Sequence, residues 1–420
     1  MMHLKTILNL ICKFKRFVYG NCYFNDAEEL IIELSPRKNS QAICSNCKAS
    51  APVYDHLTAR KFEFIPIFNI RFFFLYIMRR VSCPECGIKV EYIPWASGKS
   101  HMTNVFQVFL ANWAEDLPWK RVSERFRISW QSVYRSVDKV VKYGLKYRDL
   151  SGVVSIGVDE ITYRKQIKDK FLTVVYQLDK GSRRLLWVGQ NRTSSSFRKF
   201  FVEMEEKCPE FKSGIKFACS DMWRAYLKVI REEIPNAMHV LDRFHIRKKF
   251  SEAIDTTRRQ EVKRLKEKGC DPVLTKSRWC FLKKRQSLTG KHKSKLKELL
   301  SMNLRTVKVY LLTEEFEHFW TYNSTTWAKK FLKQWTRKVM YSKIEPIKEV
   351  AKMLRRHEEL ILNWFRAKKE ISNGITEGLN NNAKVAFRNA RGYRTFNVAE
   401  IALYHQMGKL PKPKFKHHFF

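Results

Sequence analysis

Residues 153 to 241 constrain the fold more tightly than any other stretch. Runs rich in β-branched and apolar residues at 153 to 159, 170 to 178 (KFLTVVYQL) and 184 to 190 (RLLWVGQ) read as three strands. A helix near 194 to 207, a strand at 215 to 220, a helix at 222 to 234 and a strand at 237 to 241 (AMHVL) follow. Three strands and then helix, strand, helix, strand is an α/β layout. Asp179-Lys-Gly181 supplies a turn, so the second and third strands pair as a hairpin. Two of the runs end in acids, Asp159 in SGVVSIGVDE and Asp221 in IKFACSDMWRAY, and a third acid, Glu377, punctuates SNGITEGLNNNAK. Carboxylates at strand ends sit where active sites collect. Buried without a partner they are costly, so they pair with basic groups or hold a divalent metal.

The strand order is the ribonuclease H-like arrangement, in which the first strand, the fourth strand and a later helix each supply one metal-binding carboxylate. The surroundings of these acids are basic: the 420 residues carry 81 Lys and Arg against 41 Asp and Glu, a net charge of +40. Such a surplus implies a polyanionic partner and excludes an ordinary enzyme of small neutral substrates. A membrane is excluded as that partner, because the longest lipid-like run, residues 72 to 78, is far short of the roughly 20 residues a span requires. The amino terminus reads as mature protein rather than a leader: Asn9 interrupts its apolar stretch and KFKR follows it. The expected location is the cytoplasm.

Upstream, Cys44-Ser-Asn-Cys47 and Cys83-Pro-Glu-Cys86 are two CxxC pairs separated by strand-like sequence, a pattern that closes a tetrahedral Zn2+ site in a zinc ribbon. The other six cysteines read as ordinary thiols. Residues 101 to 147 turn helical. In WKRVSERFRISWQSVYRSVDKVVKYGL, Val122 and Phe126 face a core, Ile128 lies in a turn and Ser129 caps a second helix. That helix shows Gln131, Ser132, Tyr134 and Arg135 outward, a helix-turn-helix surface for a DNA major groove; a plain helical hairpin between domains has the same pattern. From 243 the chain is helical and basic, with 19 Lys and Arg against 6 acids by residue 300. Trp320, Trp327, Phe331 and Trp335 recur there at helical spacing and are expected in the core.

Taken in order, VDEITYRK at 158 to 165, FLTVVYQLD at 171 to 179, SDMWRAY at 220 to 226, LDRFHIRKKF at 241 to 250, and TEGLNNNAK with RNARGYR between 376 and 394 resemble the ISL-three family of bacterial insertion-sequence transposases. The resemblance spans most of the chain from Cys44 to about Asn397. It implies a DDE transposase with Asp159, Asp221 and Glu377 as catalytic triad, at spacings of 62 and 156 residues. It also implies two Mg2+ (or Mn2+) ions per active site, cleavage at the transposon end, and attack of the exposed 3′ hydroxyl on target DNA. The partners expected are double-stranded DNA, in the form of terminal inverted repeats and target, and at least a second copy of the chain on it, in the nucleoid of a bacterium. One departure is Gln166-Ile167-Lys168, where family members often carry a Gly-containing turn.

The domains expected are an amino-terminal arm (1–40), a zinc ribbon (41–95), a helical DNA-binding region (96–150), the first part of a ribonuclease H-like catalytic domain (151–245), an all-α insertion (246–368), the final catalytic helix (369–405) and a basic tail (406–420). Glu160 is expected on the opposite strand face from Asp159. Asp242 and His245 in DRFH stand near the site, either orienting a metal-bound water or phosphate or forming a structural pair. Asn380, Asn381, Lys384 and Arg388 are expected within one or two helical turns after Glu377, and Lys384 and Arg388, four apart, share a face suited to a DNA phosphate. Two rival readings carry the same acids: a ribonuclease H-like nuclease or junction resolvase, and a zinc-ribbon DNA-binding regulator without catalysis.

Overall fold

The computed structural model describes residues 4–162, 171–270, 273–283, 285–368, 374–390 and 392–414, so Gln166-Ile167-Lys168 lies outside the described residues. The chain divides into two units, Met1–Arg148 with Arg388–Phe420, and Asp149–Phe387.

The first unit begins with α1 (Leu4–Ile11), β1 (Phe17–Phe24), β2 (Leu30–Pro36), β3 (Ala42–Ile43), β4 (Ser50–Ala51), β5 (Val53–Ile67), β6 (Ile70–Cys83) and β7 (Gly87–Val90). β5 and β6 form a long antiparallel hairpin whose tip, Phe68 and Asn69, takes positive φ at both positions. Alternation along β6 sends Phe72, Phe74, Tyr76 and Met78 into one core with Phe17, Ile32, Phe62 and Trp95. The strand order is β1-β2-β6-β5, with β7 on β6 and β2 parallel to β6. Residues 17 to 36 therefore belong to the sheet of β5 and β6, where an amino-terminal arm (1–40) was expected. Local pattern concealed this, since the register of β1 breaks between Tyr19 and Cys22 and the β1–β2 hairpin joins the sheet only through β6, far along the chain.

Helices α2 (Asn104–Asp116), α3 (Trp119–Phe126) and α4 (Trp130–Tyr147) follow. Arg127, at φ 52°, closes α3 in the left-handed region, and the Ser129 hydroxyl accepts the Ser132 N–H at 3.1 Å to open α4. Val122 is fully buried, and Phe126 is half-buried against Phe109 and Trp113.

The second unit holds β8 (Ser155–Thr162), β9 (Phe171–Gln177), β10 (Arg184–Gln190), α5 (Ser194–Lys207), α6 (Phe211–Gly214), β11 (Phe217–Ser220), α7 (Arg224–Glu233) and β12 (Met238–Leu241). The sheet order is β10-β9-β8-β11-β12: the first three strands are antiparallel, and β11 runs parallel to both β8 and β12. The Asp179 carboxylate accepts from Val154 N, Ser155 Oγ and Gln177 Nε2, tying the hairpin to the start of β8. Phe197, Phe200, Phe201 and Met204 of α5 and Tyr226, Val229 and Ile230 of α7 form the core with the sheet.

The helices α8 (Arg243–Glu267), α9 (Arg278–Leu282), α10 (Gly290–Leu300), α11 (Arg305–Glu317), α12 (Thr325–Met340), α13 (Glu345–Arg356) and α14 (Glu358–Arg366) come next. Trp320 and Trp335 are buried as expected and Phe331 is half-buried. Trp327 is not a core residue: it is 58% exposed in the first turn of α12, outside the buried face formed by Ala328, Leu332, Trp335 and Val339. α15 (Gly374–Asn389) then returns to the sheet, and α16 (Phe396–Met407) ends the regular structure.

α16, expected in the final catalytic segment (369–405), packs on α4 within the first unit, burying Ala399, Ala402 and Leu403. The start of the tail is likewise packed: Gly144 has no Cβ and so admits Leu410, and Lys412 Nζ meets Glu115 at 2.8 Å. Among the described residues no helix is long and apolar enough to cross a membrane.

Candidate active site

Three parallel strands of the second unit deliver acids past the stretch where they pair in parallel. Asp159 lies within β8 two residues beyond Gly157, the last to pair with β11; Asp221 directly follows β11, and Asp242 directly follows β12 and caps α8. Each carboxylate is held by nearby backbone: Asp159 Oδ1 accepts from Glu160 N at 2.7 Å, Asp221 Oδ1 from Trp223 N at 2.9 Å, and Asp242 Oδ1 from Phe244 N at 2.7 Å. The second oxygen of Asp242 binds His245 Nδ1 at 2.7 Å.

Burial pushes Asp159 up to about 6; the charges of Asp221 and Asp242 act in the same direction, while the Glu160 N–H and His245 oppose them. Burial also raises Asp221, helped by Glu160 and Asp242 and opposed by the Trp223 N–H and His245. For His245, burial favours the neutral ring, but the Asp242 hydrogen bond and the charges of Asp242, Asp159 and Asp221 outweigh it and raise its pKa. These shifts describe one electrostatic cluster of three aspartates and a histidine. Such a cluster of acids, with one histidine for counter-charge, suits a divalent cation. Glu160 is otherwise engaged, paired with Arg192 at 3.0 Å. Arg192 in turn lies over the rings of Phe171 and Trp223.

Asn380, singled out in the sequence only as a neighbour of Glu377, has a contact that the sequence does not disclose. It is buried, its Nδ2 donates to Asp159 Oδ2 at 2.6 Å, and its Oδ1 accepts the Tyr176 hydroxyl at 2.8 Å. Gly157 permits the approach, since a Cβ there would stand 2.9 Å from Thr376 Oγ1. Glu377 lies three residues before Asn380 on α15, one turn along a neighbouring line of the helix. It is exposed and has no hydrogen bond or ion pair among the described residues, and it lines a cavity with Phe244 and Arg247. The structure thus gathers Asp159, Asp221, Asp242 and His245, whereas Glu377 is not among the charges that act on them and lies with Phe244 and Arg247 in the cavity lining. Among the described residues, only Cys44, Cys47, Cys83 and Cys86 bring three or more potential ligand atoms within 4.8 Å of one another.

That cysteine group forms the second candidate site. The Cys47 and Cys83 sulfurs are 3.4 Å apart, close to the roughly 3.8 Å edge of a tetrahedron with 2.3 Å Zn–S bonds. Asn46 donates to Cys44 Sγ through its backbone N–H and to Cys86 Sγ through its amide. Burial raises the Cys44 thiol, yet the N–H groups of Asn46 and Cys47 prevail and bring it down to about 7. The four donors are compatible with zinc.

Of the groups expected at DNA, Gln131 and Arg135 are exposed and Ser132 is half-buried on the first turns of α4; Lys384 and Arg388 are exposed on α15.

A family described as Transposase, the ISL3 type of DDE transposases, matches residues 156–403. The transposase for insertion sequence element IS1001 of Bordetella parapertussis is 28% identical over 356 residues, covering 84% of this chain and 85% of that protein. The transposase for insertion sequence element IS1557 of Mycobacterium tuberculosis is 25% identical over 394 residues, covering 88% and 86%. Among solved structures, a chain of the Drosophila P element transposase strand transfer complex aligns at a TM-score of 0.39 and 9% identity over 74% of this chain and 91% of that one. With the family's pattern running from β8 into α16, this chain belongs to the ISL3-type DDE transposases of insertion sequences.

Proposed function

We propose that this transposase binds the terminal inverted repeats of its insertion sequence and performs DNA cleavage and strand transfer at a ribonuclease H-like centre made by Asp159, Asp221 and Glu377. The observation that carries the reading is the tether from Asn380 to Asp159. That tether holds α15, the helix that carries Glu377, against β8, which supports the choice of Glu377 as the third carboxylate. The β10-β9-β8-β11-β12 order supports the ribonuclease H-like assignment. Asp159, Asp221 and Glu377 would hold two Mg2+ or Mn2+ ions, which supply an activated water or 3′ hydroxyl and neutralise charge on the leaving oxygen.

The chain's own groups prepare that chemistry. Asn380 and the Glu160 N–H orient the two oxygens of Asp159, and the Trp223 N–H orients Asp221. Asp242 fixes the His245 ring and favours its charged form, which suits contact with the scissile phosphate. Gln131, Ser132 and Arg135 read the terminal repeat from α4, and Lys384 and Arg388 hold backbone phosphates. A zinc ion held by Cys44, Cys47, Cys83 and Cys86 fixes the ribbon, and synapsis of two ends requires at least a dimer on DNA. The site of action is the bacterial nucleoid.

The test is Mg2+-dependent cleavage of a duplex that carries the element's end. Asp159→Ala should abolish it while DNA binding persists, and unchanged cleavage would overturn the assignment. Joined strand-transfer product separates a transposase from a ribonuclease H-like nuclease or resolvase. Absence of any cleavage by the native chain would favour a DNA-binding regulator.

A further inference from the structure

A cavity of about 530 Å³ opens beside Glu377. Its floor is aromatic: Phe281 and Tyr310 are both nearly buried, with ring centroids 5.5 Å apart. One wall is Phe244, 47% exposed in the first turn of α8. This ring is mounted on the acidic cluster itself, since the Phe244 N–H donates to Asp242 Oδ1 and the ring meets His245 edge-on at 5.9 Å. Trp223, the corresponding exposed ring after Asp221, is already committed: its Nε1 donates to Arg192 O and the Arg192 guanidinium covers its face. Phe244 carries no comparable load in the fold.

The charges of the cavity indicate what enters it. Arg247 is neutralised by both oxygens of Glu317, at 3.0 and 2.7 Å. Glu314 and Glu377 remain as unpaired acids in the lining among the described residues. With Lys248 and Lys283 in the same lining, the cavity carries no net charge that would select a bare phosphate, whereas a flat neutral ring with an amino donor would find stacking surface on Phe244 and an acceptor in Glu314. Lys248 and Lys283, both exposed and without an ion pair among the described residues, line the same cavity and suit the phosphates that flank such a ring.

We infer that this cavity receives one unstacked nucleobase of the DNA end at the point of cleavage, stacked on Phe244, while its flanking phosphates lie on Lys248 and Lys283. Extruding that base exposes the adjoining phosphate to the acids at the strand ends. The inference rests on the proposed cleavage role of Asp159, Asp221 and Glu377, and its test separates the two. In full-length Asp159→Ala protein, a duplex spanning the element's end is bound with 2-aminopurine substituted at each nucleotide around the junction in turn. One position should brighten on binding, and adding Phe244→Ala should remove that signal while binding persists.

In the otherwise native chain, Phe244→Ala should slow cleavage of a fully paired end by about 10- to 100-fold. An end mismatched at the brightened position should recover most of that loss, and Phe244→Trp should keep the native rate. A structural fault would slow paired and mismatched ends alike. Equal slowing, no slowing, or the absence of any brightened position would overturn the inference. Should the native chain fail to cut at all, the proposed function fails, and the fluorescence arm alone still decides the fate of the base.

Discussion

Asn380→Asp changes a single amide nitrogen to oxygen at the contact between α15 and β8, so its cost can be worked from the geometry. The amide now donates to Asp159 Oδ2 across 2.6 Å. Two ionised oxygens at that separation would repel by about 6 kcal/mol at an effective dielectric constant near 20. The pair avoids this by keeping one proton. Holding a proton on a carboxyl whose unfolded pKa is about 3.9 costs about 1.4 kcal/mol per pH unit, or about 5 kcal/mol at pH 7.5. Native Asp159, raised to about 6, already carries about 3 kcal/mol of the same strain, so the added cost lies between about 2 and 5 kcal/mol. The sign is definite. The protonated pair is native-like, so the penalty is absent below about pH 4 and grows as pH rises toward the elevated folded value. For a unit of about 240 residues, the expected drop in Tm at pH 7.5 is roughly 5–15 °C, shrinking to a few degrees at pH 4.5. The assay is calorimetry without divalent ions at both pH values. An equal drop at the two pH values would indicate a packing fault, and no drop at either would mean that Asn380 does not abut Asp159; both refute the reasoning.

Three further outcomes are expected. At a concentration 100-fold above its Kd, Mg2+ should stabilise the native chain by about 2.7 kcal/mol at pH 8 and far less at pH 5, where Asp159 keeps its proton; an undiminished melting shift in Asp159→Ala would place the ion elsewhere. Elemental analysis should find one zinc per chain, lost in Cys47→Ser and Cys83→Ser but kept in Cys22→Ser, because Cys22 is exposed on β1 outside the cysteine group. In fluorescence anisotropy, Gln131→Ala and Arg135→Ala should each cost about 1–3 kcal/mol on the terminal repeat and relax its discrimination from random DNA. Lys384→Ala and Arg388→Ala should instead weaken all duplexes alike, each lowering the slope of log K against log salt by about 0.9.

What the sequence disclosed and withheld follows the range of the interactions involved. β8, β9, β10, β11 and β12 were legible because each is a bounded β-branched or apolar run with turn residues near at hand, and Asp159 and Asp221 stood out as charges closing two of them. The pairing of β2 with β6 and the packing of α16 on α4 leave no local signature, because both join segments far apart in the chain and no local period encodes a partner. Asn380 is the sharpest case. It is one of three consecutive asparagines, and the rotation of α15 decides which of them turns inward. That rotation depends on a missing Cβ at Gly157, on Thr376 seated against it, and on a tyrosine hydroxyl from β9. None of these contacts involves Glu377. The proposed third carboxylate is therefore positioned wholly through its neighbours, with its own side chain left free for a ligand, and a residue so held leaves no imprint on hydrophobic periodicity. Its only trace in the sequence is the string TEGLNNN, whose Thr376 and Asn380 hold the helix while the glutamate stays unengaged.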